Sequence, residues 1–298
     1  EEQVAYQTAL QQLAPQLLNW KIEYSDDFTY LEYTTLNGST HTADLFGEGI
    51  ASLFRIVLAL YDPEDCIVII DEPELSLHPQ AQKRLAKFIA EKAKERQIIL
   101  CTHSPHFLSW KDLAAGANVY RLRQDRYGIQ SNRLSAKTIA SLNKLSSDWQ
   151  KPQLLDSVAK EVFFADEVLF LEGQEDVGLI GRFIELEGIE SIQLFGYGVG
   201  GAKNTLRFLA MATELKIPCG AIFDGTSKEE YDVAVAEYKN ARIELLPVAD
   251  IRDKPPTPEK STTLGIFNKD GQIKTEFHGY LVETLREFRD YFDECLKP

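Results

Sequence analysis

The sequence is poor in the residues that mark several classes of protein. Only four of its 298 residues are cysteines, and none forms a Cys-x-x-Cys pair, so a small disulfide-bonded scaffold is excluded. Two of them, Cys66 and Cys101, fall in apolar runs, so we expect buried, reduced thiols in a cytoplasmic protein. The longest apolar runs, such as residues 66–70, are far shorter than the roughly 20 residues of a membrane span, so no membrane partner is expected. The chain has neither a starting Met nor a signal-like N-terminus, which predicts that it begins inside a longer polypeptide.

Positive charge is also scarce. The chain has 32 Lys and Arg against 46 Asp and Glu, a net charge of -14, which argues against a protein that simply coats nucleic acid. Six basic residues nevertheless lie between Arg121 and Lys144, where Asp125 is the one acid. This strip could hold a phosphate backbone or could equally be a solvated face, and the sequence leaves both interpretations open.

The chain does contain enough apolar sequence, 44%, for a sizeable core, arranged in alternating strand-like and helix-like segments. Before a break near residues 146–152, we predict a helix at 45–60, a buried strand at 66–70, a helix at 79–96 and a second buried strand at 97–101. After the break, we predict strands at 167–171, 191–195 and 219–223 and helices at 177–187, 203–215 and 280–296. The alternation predicts an α/β fold with two domains, residues 1–150 and residues 151–298.

Polar residues follow two apolar strands of the upstream half. The run 67–70 is followed directly by Asp71 and Glu72, and the run 98–101 is followed by His103 one residue later. Ligands of open α/β folds bind at the carboxyl ends of the strands. At such a nucleotide site, the first acid can hold Mg²⁺ through water and the second can deprotonate an attacking water. A neutral imidazole there can contact a γ-phosphate, although a single histidine is more often structural.

The order of the upstream features resembles the C-terminal half of an ABC-type ATPase of the SMC-like group. Gly47-Glu48-Gly49 opens a helix, where backbone N–H groups can approach phosphate oxygens, and it stands in place of the family's signature loop. The resemblance implies that ATP is a cofactor, with Asp71 as the Walker B acid, Glu72 as the catalytic base and His103 as the switch histidine. It also implies that Leu75 to Pro79 meets a partner subunit, so that the ATPase heads form a homodimer or a larger homo-oligomer. No Gly-x4-Gly-Lys-[Ser/Thr] string occurs in the chain, and we expect this phosphate loop to lie outside it.

A second group of acids follows the strands of the downstream half. Glu172 comes directly after the apolar run 168–171, Asp176 lies four residues later at the opening of a helix, and Asp224 follows the run 221–223. Parallel strands would bring Glu172 and Asp224 to one sheet edge, where carboxylate oxygens suit Mg²⁺ or Mn²⁺. Such a metal site can activate water and stabilise the leaving oxygen in phosphodiester cleavage. Taken alone, each of these acidic strings could equally be the end of a strand with only a structural role.

This layout resembles a TOPRIM domain, which has Glu-Gly after its first strand, Gly after the second and Asp-x-Asp after the third. Glu172, Asp176 and Asp224 match these positions, whereas Thr226 stands where the second Asp is expected, which weakens metal binding. Two further roles are open. The missing acid could be replaced by Glu229 or Glu230, and the scissile phosphate could be neutralised by Lys254, Lys269 or Lys274.

An ABC-type ATPase followed by a TOPRIM domain is the arrangement of the OLD (overcoming lysogenisation defect) nucleases and their relatives in phage-defence systems. The resemblance implies an ATP-regulated, divalent-metal-dependent DNA endonuclease in anti-phage defence, with a defence-system protein as a further partner. Thr226 motivates an alternative, an ATPase scaffold with an inactive TOPRIM domain that holds or releases a partner effector. A third interpretation is a repair or recombination ATPase whose TOPRIM domain binds DNA ends.

Overall fold

The computed structural model describes residues 2–24, 29–42, 48–62, 67–126, 128–146, 157–256 and 262–297. Within these ranges, helices alternate with short strands, and the expected α/β fold class is confirmed. The chain divides into two compact units, Glu1–Ser109 and Trp110–Pro298, which are described separately below. None of the helices in the described ranges combines the length and the apolar character needed to cross a membrane.

The upstream unit, Glu1–Ser109, contains three α-helices and five strands among its described residues. They are α1 (Glu2–Leu13), β1 (Leu17–Tyr24), β2 (Thr29–Thr35), β3 (Thr40–Thr42), α2 (Glu48–Tyr61), β4 (Ile67–Asp71), α3 (Pro79–Lys92) and β5 (Gln97–Cys101). Strands β1, β2 and β3 form an antiparallel sheet, and β4 pairs in parallel with β5. The helices cover one face of the β4–β5 pair, because Val57, Leu85 and Ile89 pack with Val68 and Ile70 in one core. The helix that the sequence predicts at 79–96 ends earlier in the structure, at Lys92.

The expectation that the strands at 66–70 and 97–101 are buried is wrong for one of their two faces. Val68 and Ile70 are buried, whereas Ile69 is 68% exposed. Ile67, Ile99 and Cys101 are also exposed, because side chains alternate between the two faces of a strand and helices cover only one of them. Cys101 is therefore not a buried thiol, and Cys66 lies outside the described residues.

The downstream unit, Trp110–Pro298, is built around three parallel strands in the order β10-β9-β8. Its elements are α4 (Trp110–Ala114), β6 (Tyr120–Asp125), β7 (Gly128–Arg133), α5 (Ala136–Ser146), α6 (Ser157–Lys160), β8 (Val168–Leu171), α7 (Gln174–Glu187), α8 (Ala202–Glu214), β9 (Cys219–Phe223), α9 (Lys228–Glu237), β10 (Arg242–Leu245), β11 (Asp250–Arg252), β12 (Gly265–Phe267) and α10 (Thr275–Leu296). Every residue of β8 and β9 is buried, which explains why their sequences are continuously apolar. Leu169, Ile222, Ile180 and Phe288 belong to one core, so α7 and α10 pack against the sheet.

The strand predicted at residues 191–195 forms only a single bridge. Leu194 pairs in parallel with Leu169 of β8, through hydrogen bonds from Leu169 N to Gln193 O (2.8 Å) and from Phe195 N to Leu169 O (3.0 Å). Gly196 then takes a positive φ of 37° and turns the chain away from the sheet. The segment therefore lies on the side of β8 opposite β9, as a fourth strand would, without extending into a strand.

The division between the units lies earlier than the boundary predicted between residues 150 and 151. Helix α5 belongs to the downstream unit because its start is hydrogen-bonded to Glu214 at the end of α8. The carboxylate of Glu214 accepts hydrogen bonds from the N–H and the hydroxyl of Ser135 (both 2.7 Å) and from the hydroxyl of Thr138 (2.7 Å). Residues 147–156, which include most of the predicted break, lie outside the described ranges.

Candidate functional site

Asp71, Glu72 and His103 lie at the carboxyl ends of the parallel strands β4 and β5. Asp71 is the last residue of β4 and pairs in register with Cys101, the last residue of β5. Glu72 has a φ of 45°, in the left-handed region, and its N–H donates a 2.8 Å hydrogen bond to Cys101 O. The Nε2 atom of His103 lies 4.0 Å from Glu72 Oε1, and the His103 side chain is 85% exposed. The structure thus places the predicted base beside the predicted switch histidine, next to Asp71.

Glu74 is a residue of this site that the sequence reasoning missed. Its carboxylate accepts a hydrogen bond from the Thr102 hydroxyl (2.7 Å) and another from the His103 N–H (2.6 Å). It therefore joins the segment after β4 to the segment after β5 and fixes the backbone of His103. The second Glu of the Asp-Glu-Pro-Glu string was the available signal, since a carboxylate at a strand end can accept backbone N–H groups from the next strand.

The start of α2 packs against the loop Leu75 to Pro79. The Ser76 hydroxyl donates a 2.9 Å hydrogen bond to Glu48 Oε2. A Cβ atom on Gly49 would lie 2.4 Å from Ser76 O, so only glycine allows this close approach. The structure therefore brings Glu48 and Gly49 together with the loop that the resemblance assigns to subunit contact, whereas Gly47 lies outside the described residues.

Glu172 connects three segments at the carboxyl edge of the downstream sheet. It follows β8, and its Oε1 accepts a 2.9 Å hydrogen bond from the N–H of Asp224, which follows the neighbouring strand β9. The Ala202 N–H at the start of α8 and the Ser227 side chain also lie near this carboxylate and lower its pKa, which burial raises. The structure therefore brings Glu172 and Asp224 to one sheet edge, as parallel pairing requires.

Asp176 lies in the first turn of α7 and is buried. Its Oδ2 accepts a 2.8 Å hydrogen bond from the Gly173 N–H, which caps the helix. The negative charges of Asp176 and Glu172 act on Asp224, and that of Glu172 also acts on Asp176, so the three predicted acids form one electrostatic group. We call Glu172, Asp176, Asp224 and the nearby Asp250 the acid cluster.

Burial dominates the electrostatics of the acid cluster. It raises the pKa of Asp224 to about 8 and that of Asp176 to about 6, and it also raises the pKa of Glu172. The charges of neighbouring carboxylates contribute to the increases for Asp224 and Asp176, and the charge of Lys254 partly offsets them. A group of buried acids whose charges repel one another is the environment in which a bound cation would be stabilised.

Two protein-family models match the chain. The family described as "AAA domain, putative AbiEii toxin, Type IV TA system" matches residues 11–109, and the family described as "Overcoming lysogenization defect protein-like, TOPRIM domain" matches residues 163–225. The second match includes Glu172, Asp176 and Asp224. The downstream unit contains an OLD-like TOPRIM domain. The predicted order, an ATPase-type domain followed by a TOPRIM domain of the OLD type, is confirmed.

Curated relatives of the chain include three nucleases. The chain is 28% identical to the OLD nuclease of Thermus scotoductus over 256 residues, which cover 78% of the chain and 48% of that protein. It is 27% identical to the Old nuclease of Escherichia phage P2 over 147 residues, covering 45% of the chain and 25% of that protein. It is 28% identical to the endonuclease GajA of Bacillus cereus over 170 residues, covering 47% of the chain and 25% of that protein. The chain thus spans about half the length, or less, of these relatives.

The carboxylates of the acid cluster in the TOPRIM domain are chemically suited to bind a divalent cation. Carboxylate oxygens are the ligands that Mg²⁺ and Mn²⁺ prefer, and the mutual repulsion of these acids favours a positive charge between them. Within the described part of the chain, however, no three His, Cys, Asp or Glu side chains are already arranged to hold one ion. Glu172 and Asp176 each direct an oxygen to a backbone N–H instead.

The TOPRIM domain also contains residues whose roles the sequence left open. Among the three lysines considered for the scissile phosphate, Lys254 is the one whose charge acts on Asp176 and Asp224. Lys274 instead forms a 2.7 Å ion pair with Asp253. Of Glu229 and Glu230, the two acids considered as replacements, Glu230 is the one whose negative charge raises the pKa of Glu172. Asp250 was missed entirely, because no local sequence pattern marks it.

Proposed function

We propose that the protein is an ATP-regulated, divalent-metal-dependent DNA endonuclease of the OLD type that acts in anti-phage defence. The observation that carries the proposal is the convergence of Glu172, Asp176 and Asp224 at one edge of the sheet, inside the segment matched by the OLD-like TOPRIM family. The similarity to proteins named OLD nuclease and endonuclease GajA supports DNA as the substrate.

In the TOPRIM domain, Glu172, Asp176 and Asp224 would hold Mg²⁺ or Mn²⁺. A divalent cation at such a site polarises the phosphodiester and lowers the pKa of a bound water. The residues of the chain supply the rest of the environment. The N–H group of Asp224 holds Glu172 at the sheet edge, and Lys254 brings a positive charge to the same edge for the substrate phosphate.

In the ATPase domain, Asp71 would hold the magnesium of Mg-ATP and Glu72 would accept a proton from the attacking water. His103 would contact the γ-phosphate, and Glu74 fixes its backbone. Glu48, Gly49 and the loop Leu75 to Pro79 form one surface, which suits the contact with a second ATPase head. ATP binding would thereby join two subunits and control the access of DNA to the acid cluster. The proposed partners are thus DNA, a second copy of the protein and a defence-system protein, in the cytoplasm.

The test of the nuclease is Glu172→Gln, compared with Glu172→Ala. The amide of Gln keeps an oxygen for the Asp224 N–H but removes the charge that a cation needs. We expect both variants to lose nicking of supercoiled plasmid by the full-length protein in Mg²⁺ or Mn²⁺, by on the order of 100-fold or more. The chelator EDTA should have the same effect on the wild-type protein.

Glu185→Ala is the matched control, because Glu185 is an exposed glutamate of the neighbouring helix α7. This variant should cut as the wild type does. Cleavage that survives in both Glu172 variants, with unchanged metal dependence, would contradict the proposed site.

A second candidate function rests on Thr226, which occupies the position of the expected second acid. Its hydroxyl donates a 3.3 Å hydrogen bond to Ala249 O and so is engaged in the fold. In this case the TOPRIM domain would be inactive and the ATPase would hold or release a partner effector. Protein that hydrolyses ATP and binds DNA or a partner, yet cuts no DNA with Mg²⁺, Mn²⁺ or Ca²⁺, would favour this candidate.

A further inference from the structure

Charged side chains alternate along β11 and the two residues that follow it. Asp250, Arg252 and Lys254 occupy every second position, so they share one side of the extended segment. Ile251, between them, is buried in the core at 1% exposure, and Asp253 pairs with Lys274 instead. Arg252 forms a 2.5 Å ion pair with Glu175 in the first turn of α7, beside Asp176. The side of β11 that bears these charges therefore faces the acid cluster.

The turn after β9 holds the residues before β11 in place. The Gly225 N–H donates a 3.0 Å hydrogen bond to Val248 O, and the Thr226 hydroxyl donates a 3.3 Å hydrogen bond to Ala249 O. A Cβ atom on Gly225 would lie 2.2 Å from Val248 O, so the two segments are in direct contact. Thr226, the apparent departure from the family pattern, thus anchors the residue that immediately precedes Asp250.

Asp250 and Lys254 form an ion pair at the edge of the acid cluster. Lys254 Nζ lies 2.5 Å from Asp250 Oδ2, and the Asp250 side chain is only 13% exposed whereas that of Lys254 is 46% exposed. Asp224 and Glu175 also attract the Lys254 ammonium group. A lysine with four rotatable bonds can reach several partners, so the best-placed and least exposed of them determines its position.

We propose that Asp250 is a positioning residue, which holds the Lys254 ammonium group beside the acid cluster so that it contacts the phosphate of the DNA substrate. Thr226 and Gly225 keep Asp250 in place by anchoring residues 248–249. The inference rests on the proposed nuclease function and adds the residue that orients the Lys254 ammonium group. Without Asp250, Lys254 is drawn towards Asp224, where its charge competes with the divalent metal instead of meeting the phosphate.

The test is a double-mutant cycle of Asp250→Asn and Lys254→Ala in the full-length protein, with plasmid nicking measured against DNA and Mn²⁺ concentration. We expect Asp250→Asn to lower kcat by on the order of 10- to 100-fold, the usual effect of misplacing a reacting group. It should also raise the Mn²⁺ concentration needed for half-maximal rate. In the Lys254→Ala background the same change should have little further effect on kcat, because Asp250 acts through Lys254. Asp250→Glu should restore part of the rate.

Asp232→Asn is the matched control, since Asp232 forms a comparable ion pair with Lys228 (2.7 Å) four residues away on α9. It should leave kcat and the Mn²⁺ dependence unchanged, and thermal melts should show that all variants fold. Wild-type protein that cuts no DNA would overturn the proposed function and this inference together. If the wild type cuts, either an unchanged rate in Asp250→Asn or an equal loss with and without Lys254 overturns this inference alone.

Discussion

Asp224 is a half-buried carboxyl group surrounded by other acids. Burial, followed by the charges of Asp176, Glu172 and Asp250, raises its pKa from 3.8 to about 8. An acid with a raised pKa binds its proton more tightly in the folded than in the unfolded chain. Its contribution to stability is therefore lost as the pH rises from about 4 to about 8. In the absence of metal, the site lowers the stability of the protein that contains it.

Asp224→Asn should for this reason stabilise the metal-free protein at high pH. We expect the free energy of unfolding in EDTA to rise by about 1–3 kcal/mol at pH 8.5, the usual cost of a buried unpaired group. The gain should shrink towards pH 5, where Asp224 of the wild type is protonated. Urea unfolding at several pH values measures both effects.

The control for this experiment is Asp270→Asn, which changes an exposed aspartate and should alter stability by less than about 0.5 kcal/mol. An Asp224→Asn variant that is less stable than the wild type at every pH would show that Asp224 is not under electrostatic repulsion.

At the scale of elements, a group of hydrogen bonds joins the start of α5 to the end of α8 within the downstream unit. Glu214 accepts three hydrogen bonds from Ser135 and Thr138, and Thr138 is buried at 4% exposure. Ser135 in turn caps α5 by accepting the Thr138 N–H. The start of α5 therefore depends on a residue that lies far away in the sequence.

Glu214→Ala should destabilise the downstream unit by about 1–3 kcal/mol, because it leaves a buried hydroxyl and a backbone N–H without their acceptor. Amide hydrogen exchange in α5 should accelerate more than exchange in β8 and β9. Glu237→Ala, at the exposed end of α9, is the matched control and should change neither quantity. Equal protection of α5 in Glu214→Ala and in the wild type would show that the contact does not hold the helix.

Strands that end in acids were predictable because the signal is local. The apolar runs before Asp71, Glu172 and Asp224 fix the strands, and parallel pairing alone brings Glu172 next to Asp224. Asp250 was not predictable, because its place depends on hydrogen bonds between the turn after β9 and residues 248–249. The exposure of Ile69 was missed for a similar reason, since composition indicates apolar strands but not how many of their faces are covered.

At the scale of the whole molecule, the proposed ATP site and the acid cluster lie in separate units, each at the carboxyl edge of its own parallel strands. Under the proposed function, ATP regulates cleavage by changing the assembly of the protein. We expect that change to be the joining of two ATPase domains around ATP, which is the state that hydrolysis would end.

Glu72→Gln should prolong that state in the full-length protein. The amide cannot accept a proton from water, so ATP turnover should fall by on the order of 100- to 10,000-fold while ATP binding persists. Size-exclusion chromatography with ATP should then show a larger share of dimer than in the wild type. Glu95→Gln, an exposed glutamate of the same unit, is the control. Dimer content that does not respond to ATP in either protein would contradict ATP-driven association.

The backbone of Glu72 has one further consequence. A left-handed conformation costs a residue with a side chain roughly 1–2 kcal/mol, whereas glycine adopts it freely. Folding alone would thus favour glycine at this position. The carboxylate of Glu72 therefore stands on a strained backbone, which favours a chemical over a purely structural role for this side chain.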